Sequence, residues 1–336
     1  MELGTSLGIV ALSKVFKNGV TEIEEYLDYG PTIFENFANT SREFSELINK
    51  LSAYLSETDT KLITYWDEEY PQLLKNIPDP PVCLFVKGKL EYLAYNLFAV
   101  VGTRKITSYG KQVTERFVSE ISKHFVIVSG MAYGVDTIAH SSALRSNRPT
   151  IAVLGCGVDV VYPKSNKILY EQIIDNGCVV SEYLPWEPPK KFTFVERNRI
   201  ISGLSTGVLV TEAGIESGAL ITARYAVEQG RDVFAVPGDI FRTTSQGANY
   251  LIKNGAFVAT EPSDILEYYG FKDHRKMVEL TDDEAQIFGA LDSESTIEEI
   301  SEKLNIPISQ VMLILTTLEL KGLVFRTERN TYARAM

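Results

Sequence analysis

Apolar residues in the middle of this chain fall in short, unbroken runs. Leu97–Val101, Phe125–Ser129, Thr150–Leu154, Cys178–Ser181, Gly207–Thr211, Asp232–Val236 and Ala256–Ala259 each read as a strand covered on both faces. Between most of them the apolar residues recur at helical spacing. Ala219–Gln229 is the clearest such stretch, with Gly230 placed as its C-cap. Strand, helix and strand in repetition predict an extended Rossmann-like fold over residues 97–270: a doubly wound, mainly parallel sheet of the α/β class. Such sheets take ligands beyond the carboxyl ends of their strands.

The flanks differ. Residues 1–55 repeat a helical pattern in LGIVALSKVF, TEIEEYL and SREFSELINKLSAYL, interrupted at Gly19 and Gly30-Pro31, with Ser41 as an N-cap. They predict a helical module of the SAM or helix-hairpin kind, with three to five short helices. Residues 56–96 predict strands at Lys61–Tyr65 and Val82–Val86 around the helical turn DEEYPQLL. Pro71, Pro78, Pro80 and Pro81 make this a connector packed on the core rather than a flexible linker. Residues 276–336 hold three helical stretches, LTDDEAQIFGAL, TIEEISEKLN and ISQVMLILTTLELKG, and then the alternating FRTERNTYARA. Three helices and a β-wing predict a winged-helix domain, its last helix opening at Pro307.

Charge changes the picture more than composition does. The net charge of the 336 residues is −11, which taken globally opposes a polyanion. It divides into −7 over residues 1–97, +3 over 98–255 and −7 over 256–336, so only the middle third suits a polyanion. Cys83, Cys156 and Cys178 have neither metal nor redox spacing, and His124, His140 and His274 are scattered. This predicts no metal site and no disulfide framework, in a reducing cytoplasm. No apolar run is long enough to span a bilayer, so no membrane partner is expected.

Candidate chemistry gathers at the strand ends. The first strand runs into Gly102-Thr103-Arg104, which lacks the GxGxxG dinucleotide fingerprint. Gly102 permits a tight bend, Thr103 offers a hydroxyl, and Arg104 is either a bidentate phosphate fork or a surface salt-bridge residue. Ser129-Gly130 repeats the small-residue strand end, and Asp136 and His140 follow it on one helical face. Lys164 follows the third strand. Arg197, Asn198 and Arg199 stand near a helix start, where they either grip phosphate and base edge or form an ion-pair network with Glu182 and Glu196. Glu212–Gly218 (EAGIESG) leads into a helix and is either an anion site at its free amides, at Ser217, Gly218 and Ala219, or an ordinary strand-to-helix connection with glycines for packing. Asn249 and Lys253 lie in a last loop and first helical turn. Each signal is weak alone, but together they describe a groove for several phosphates. The last helix of the winged domain is apolar, with Ser309, Gln310, Thr316 and Glu319 outward, so a protein-contact or accessory role suits it better than DNA reading.

The blocks GTRKITSYG, SGMAYGVDTIAH, TIAVLGCGVDVVYP, ERNRIISGLS, SGALITA, GRDVFAVPG and SQGANYLI occur in order over residues 60–270. In them the chain resembles the bacterial DNA-processing protein A family (DprA, also called Smf). The resemblance implies binding of single-stranded DNA through the Rossmann-like domain and a homodimer. It also implies help in loading the RecA recombinase during recombination in natural transformation (competence). It implies no enzymatic activity, no catalytic residue and no cofactor. Carried over by motif, Gly102, Thr103 and Arg104 with Ser217, Gly218 and Ala219 bind phosphate, and Lys164, Arg197 and Arg199 add to them. The alternative is a nucleotide-hydrolysing enzyme of the lysine-decarboxylase-like Rossmann group, with Glu212 and Glu216 as its acids. A transcriptional regulator with a ligand-sensing domain rests on the winged helix alone.

Overall fold

The computed structural model describes residues 2–30, 32–271, 280–291, 294–321, 323–327 and 331–334. Pro31, His274, Gly322 and the wing residues 328–330, used in the sequence reading, lie outside them. The chain forms two compact units, Met1–Phe271 and Lys272–Met336.

In the first unit four helices come first: α1 (Leu3–Phe16), α2 (Val20–Leu27), α3 (Thr32–Thr40) and α4 (Arg42–Glu57). The Ser41 hydroxyl accepts from the Phe44 amide at 3.3 Å and starts α4. Leu7 and Val10 of α1 and Leu51 of α4 pack with Phe85, Ala152 and Val179 of the sheet, so the helices cover one of its faces. The proline-rich stretch supplies β1 (Lys61–Thr64), α5 (Gln72–Lys75) and β2 (Cys83–Gly88). It is held to itself by the Tyr70 hydroxyl donating to the Pro81 carbonyl at 2.7 Å.

Alternation then follows: β3 (Leu97–Val101), α6 (Ser108–Ile121), β4 (Val126–Ser129), α7 (Val135–Arg145), β5 (Thr150–Val153), α8 (Lys167–Asn176) and β6 (Cys178–Ser181). The second half is α9 (Thr193–Leu204), β7 (Gly207–Val210), α10 (Gly218–Glu228), β8 (Asp232–Ala235), α11 (Gln246–Lys253), β9 (Phe257–Val258) and α12 (Pro262–Tyr268). The nine strands lie in the order β1-β2-β6-β5-β4-β3-β7-β8-β9. β1–β2 and β2–β6 are antiparallel, and the pairs from β6 to β9 are parallel.

The unbroken apolar runs of the inner strands are explained by cover on both sides, whereas β9 departs from the expectation: it is the edge strand, and its Phe257 and Val258 are exposed. Ala99 and Val101 of β3 face a core with Ile200, Ile201 and Ala223 of α9 and α10. Phe98 and Val100 face another with Phe117 of α6 and Ala139 of α7. From β3 the chain winds one way to β6, then returns to β7 and winds the other way. The order therefore reverses between β3 and β7, the switch point at which open sheets leave a crevice.

The second unit holds α13 (Asp282–Ala290), α14 (Ile297–Leu304), α15 (Ile308–Leu320) and the antiparallel pair β10 (Val324–Arg326) and β11 (Tyr332–Arg334). Thr281 and Thr296 cap α13 and α14 in capping boxes closed by Glu284 and Glu299. Its core is built on Ile287, Ile300, Val311, Leu315 and Leu318.

Candidate nucleic-acid interface

At the switch point the loops after β3 and β7 open into a groove of about 890 Å³. Its floor is main chain. The Thr103 amide donates to the Glu212 carbonyl at 2.7 Å, and the Val135 amide to the Thr103 carbonyl at 3.1 Å. The Gly247 amide donates to the Ala213 carbonyl at 2.7 Å. Gly102 is required by this closeness. A Cβ there would stand 2.5 Å from Val135 Cγ2 and 2.7 Å from the Glu212 carbonyl oxygen.

The buried Glu212 carboxylate fastens the first loop. Its Oε2 accepts from the Thr107 amide and its Oε1 from the Thr107 hydroxyl, both at 2.9 Å. Thr107 in turn caps α6 by accepting from the Gly110 amide at 3.1 Å. Facing it, Ser217 caps α10 with its hydroxyl on the Ala219 amide at 3.3 Å. Gly218 is exposed, and a Cβ on it would meet no atom within 4 Å. The Ser217 amide donates to the Gly214 carbonyl at 3.0 Å, so of the three anticipated amides that of Gly218 is left, with the positive end of the helix, to meet an anion.

One wall is aromatic and basic. The Tyr162 and Phe194 rings pack with centroids 5.1 Å apart, and the exposed Arg104 guanidinium lies 5.6 Å from the Phe194 centroid. Lys105 and Lys191 also border the groove.

Arg197 borders it from beneath and is 3 % exposed. Its guanidinium donates to the Gly130 carbonyl at 2.7 Å and to the Val153 carbonyl, tying the ends of β4 and β5 together. Burial lowers its pKa and raises that of Asp136; the two charges, facing each other, partly offset both effects. Asn198 donates to the Gly218 carbonyl at 3.4 Å and so joins α9 to the start of α10.

Of the residues anticipated from the sequence, Gly102, Thr103, Arg104, Arg197, Asn198, Ser217, Gly218 and Ala219 border the groove. The others do not. Arg199, two residues past Arg197, points to another side of α9 and pairs with Glu182 at 2.7 Å and Asp79 at 2.8 Å. Burial alone would lower its pKa, but these carboxylates hold it above its ordinary value. The buried Ser129 hydroxyl donates to the Val100 carbonyl at 2.7 Å, and Gly130 serves through its carbonyl to Arg197. Asn249 holds both polar groups of the Gly238 backbone, at 2.9 and 3.1 Å. Lys164 is exposed in a 3-10 turn and Lys253 in the last turn of α11, neither on the groove. His140 bonds Thr150 at 2.8 Å. The sequence reading missed Lys105, Lys191, Tyr162 and Phe194. The signal was present in KKFTF, where basic and aromatic residues interleave.

A doubly wound sheet whose strand order reverses at an open, aromatic-walled groove defines an α/β protein of the Rossmann class. The chain belongs to the DNA recombination-mediator protein A family, which it matches over residues 61–270. Residues 273–328 match the DprA winged helix domain. The chain is 41% identical to the DNA processing protein DprA of Streptococcus pneumoniae over 273 residues, covering 77% of this chain and 97% of that protein. The crystal structure of a Streptococcus pneumoniae DprA superposes with a TM-score of 0.65 over 75% of this chain and 93% of that one. A Helicobacter pylori DprA, described for its single-stranded DNA binding mode, superposes with a TM-score of 0.58 at 32% identity, over 64% of this chain and 97% of that one.

Proposed function

We propose that the groove at the β3–β7 switch point binds single-stranded DNA by its phosphates, without strong sequence preference. The observation that carries this reading is the meeting of two kinds of contact in one open groove. Arg104, Lys105, Lys191 and the Gly218 amide suit phosphates, and the Tyr162–Phe194 wall suits unpaired bases. A pocket for one mononucleotide needs fewer cations. The single-stranded DNA binding described for the Helicobacter pylori relative supports the same reading.

Fluorescence anisotropy with an oligothymidylate, the same length of blunt duplex and a mononucleotide tests it. With about four phosphates neutralised, log affinity should fall against log salt with a slope of roughly −3, at about −0.7 per phosphate. A flat salt response, or equal affinity for the duplex, refutes it.

The protein acts by binding rather than by hydrolysis. Glu212, the leading acid of the enzymatic alternative, spends both carboxylate oxygens on Thr107. Release of base or phosphate from nucleotides, abolished by Glu216→Gln, would restore that alternative. Two further parts of the reading follow the family resemblance: transfer of the bound strand to RecA in the cytoplasm, and a homodimer. The exposed β9 edge, which carries Phe257 with Val227 and Tyr250 beside it, suits self-association. Sedimentation velocity, and strand exchange with purified RecA, test the dimer and the transfer respectively.

A further inference from the structure

We infer that Tyr133 is a second base-stacking platform, placed just outside the groove, and that a single strand leaving the groove passes over it towards Lys164 and Ser165. This rests on the groove reading above and gives the strand a way out. Ala132 borders the groove. The next residue, Tyr133, is 51% exposed. Gly134 then lies against the first groove loop, where a Cβ would stand 2.9 Å from Arg104 Cα. Tyr133 is therefore next in the chain to a close contact with the backbone of Arg104. Its far end meets a second loop, for the Ser165 hydroxyl donates to the Tyr133 hydroxyl oxygen at 3.4 Å. Ser165 comes three residues after Tyr162, whose ring forms part of the groove wall.

Buried bonds fix this placement. The Asn166 side chain, 8% exposed, donates to the Met131 carbonyl at 3.2 Å and to the Thr137 hydroxyl at 2.9 Å. The turn at 164–166 is thus tied to the loop that carries Tyr133. The Tyr162 ring is engaged by Phe194, whereas no ring among the described residues packs on Tyr133. An exposed aromatic face, held in place at the mouth of a basic groove, suits an unpaired base. The local charge agrees. Residues 160–167 hold Lys164 and Lys167 and no carboxylate. Lys167 pairs with Glu171 at 3.8 Å. Lys164 is exposed and has no side-chain partner among the described residues, so its ammonium is open to a phosphate. Asp136, the carboxylate nearest to Tyr133 in the chain, is buried. Lys164, which lies off the groove, gains a place on the path of the strand.

The test uses the full chain, anisotropy competition, and oligothymidylates of about 4 nucleotides, enough for the groove, and about 12. Tyr133→Ala should weaken the longer strand by about fivefold or more and leave the shorter within about twofold. Tyr133→Phe keeps the ring and should bind both lengths as the unaltered chain does. Two further strands of about 12 nucleotides carry abasic sugars in their first or their last half. One of the two should bind the unaltered chain and Tyr133→Ala alike, because the base that the ring would hold is missing. Full affinity of Tyr133→Ala for the longer strand overturns the proposal. So does a loss shared by both lengths, a Tyr133→Phe as weak as Tyr133→Ala, or the same loss with both half-abasic strands. Arg104→Ala, measured alongside, should weaken both lengths. If it does and Tyr133→Ala is silent, the groove stands and only the exit path falls; if it does not, the groove reading fails and this proposal with it.

Discussion

Arg104→Ala is the most direct probe of the groove. The side chain is exposed, and its main-chain neighbour Thr103 is braced on both sides, by Glu212 and Val135. Truncation therefore removes a guanidinium without moving the loop. A charge-assisted contact to phosphate contributes about 1.5–3 kcal/mol, and about 1.4 kcal/mol is a factor of ten. Single-strand affinity should fall by roughly 10- to 150-fold. Arg104→Lys should recover part of it, keeping the charge and the position near Phe194 but losing the two-pronged donor. Surface substitutions shift stability by about 0.5 kcal/mol or less, so the melting temperature should stay within about 2 °C. Anisotropy titrations and thermal melts on the same preparations decide the matter. Full affinity in a stable Arg104→Ala protein removes the residue from the interface, and lower stability with full affinity makes it a structural ion.

Four further outcomes follow from the same geometry. Gly218→Ala has room for its methyl within the protein and should hold or raise stability by about 0.4–1 kcal/mol, yet weaken DNA binding at least severalfold by crowding the Gly218 amide. Gly102→Ala should instead cost about 1–3 kcal/mol in a denaturant titration, and a silent Gly102→Ala would contradict the close approach. Truncation after Phe271 leaves the first compact unit and should keep single-strand affinity within about threefold and the same salt slope; loss of most binding would move the interface to the winged domain. Burial, with Arg197 adding to it, holds the His140 pKa down to about 3. The unfolded chain takes up that proton near pH 6.5, so this contribution to stability is complete above pH 6.5 and is lost as pH falls towards 3, by up to about 1.4 kcal/mol per unit. His140→Gln should flatten the slope between pH 6 and 4 in chemical unfolding. Asp136, whose pKa burial raises, acts in the opposite sense in both proteins, and equal slopes would refute the assignment.

The inner strands were legible because burial on both faces leaves no polar alternation to misread, and each anticipated run lies within two residues of the observed one. The loops at Gly102 and Ser217 were legible because a tight bend and a helix start each have a local sequence requirement. Which way a side chain points beyond a strand end has no such signature. Arg197 and Arg199 stand two apart on a helix, so one turns under the groove and the other towards Asp79. Asn249 and Ser129 carry polar groups that a strand-end pattern assigns to a ligand, whereas the fold spends them on its own backbone. Lys191 and Phe194 went unselected because they come from the approach to α9 and its first turn rather than from a glycine-rich turn.

The bonds that brace the groove floor, Thr103 to Glu212, Val135 to Thr103 and Gly247 to Ala213, run from amide to carbonyl. None depends on the identity of a side chain beyond the glycines that let the strands' loops come close. Arg104, Lys105 and Lys191 are thus exchangeable fittings on a fixed frame. Replacing all three with acids should leave the same outline with inverted preference, and a relative could drift to another anion by altering fittings alone, with its architecture untouched.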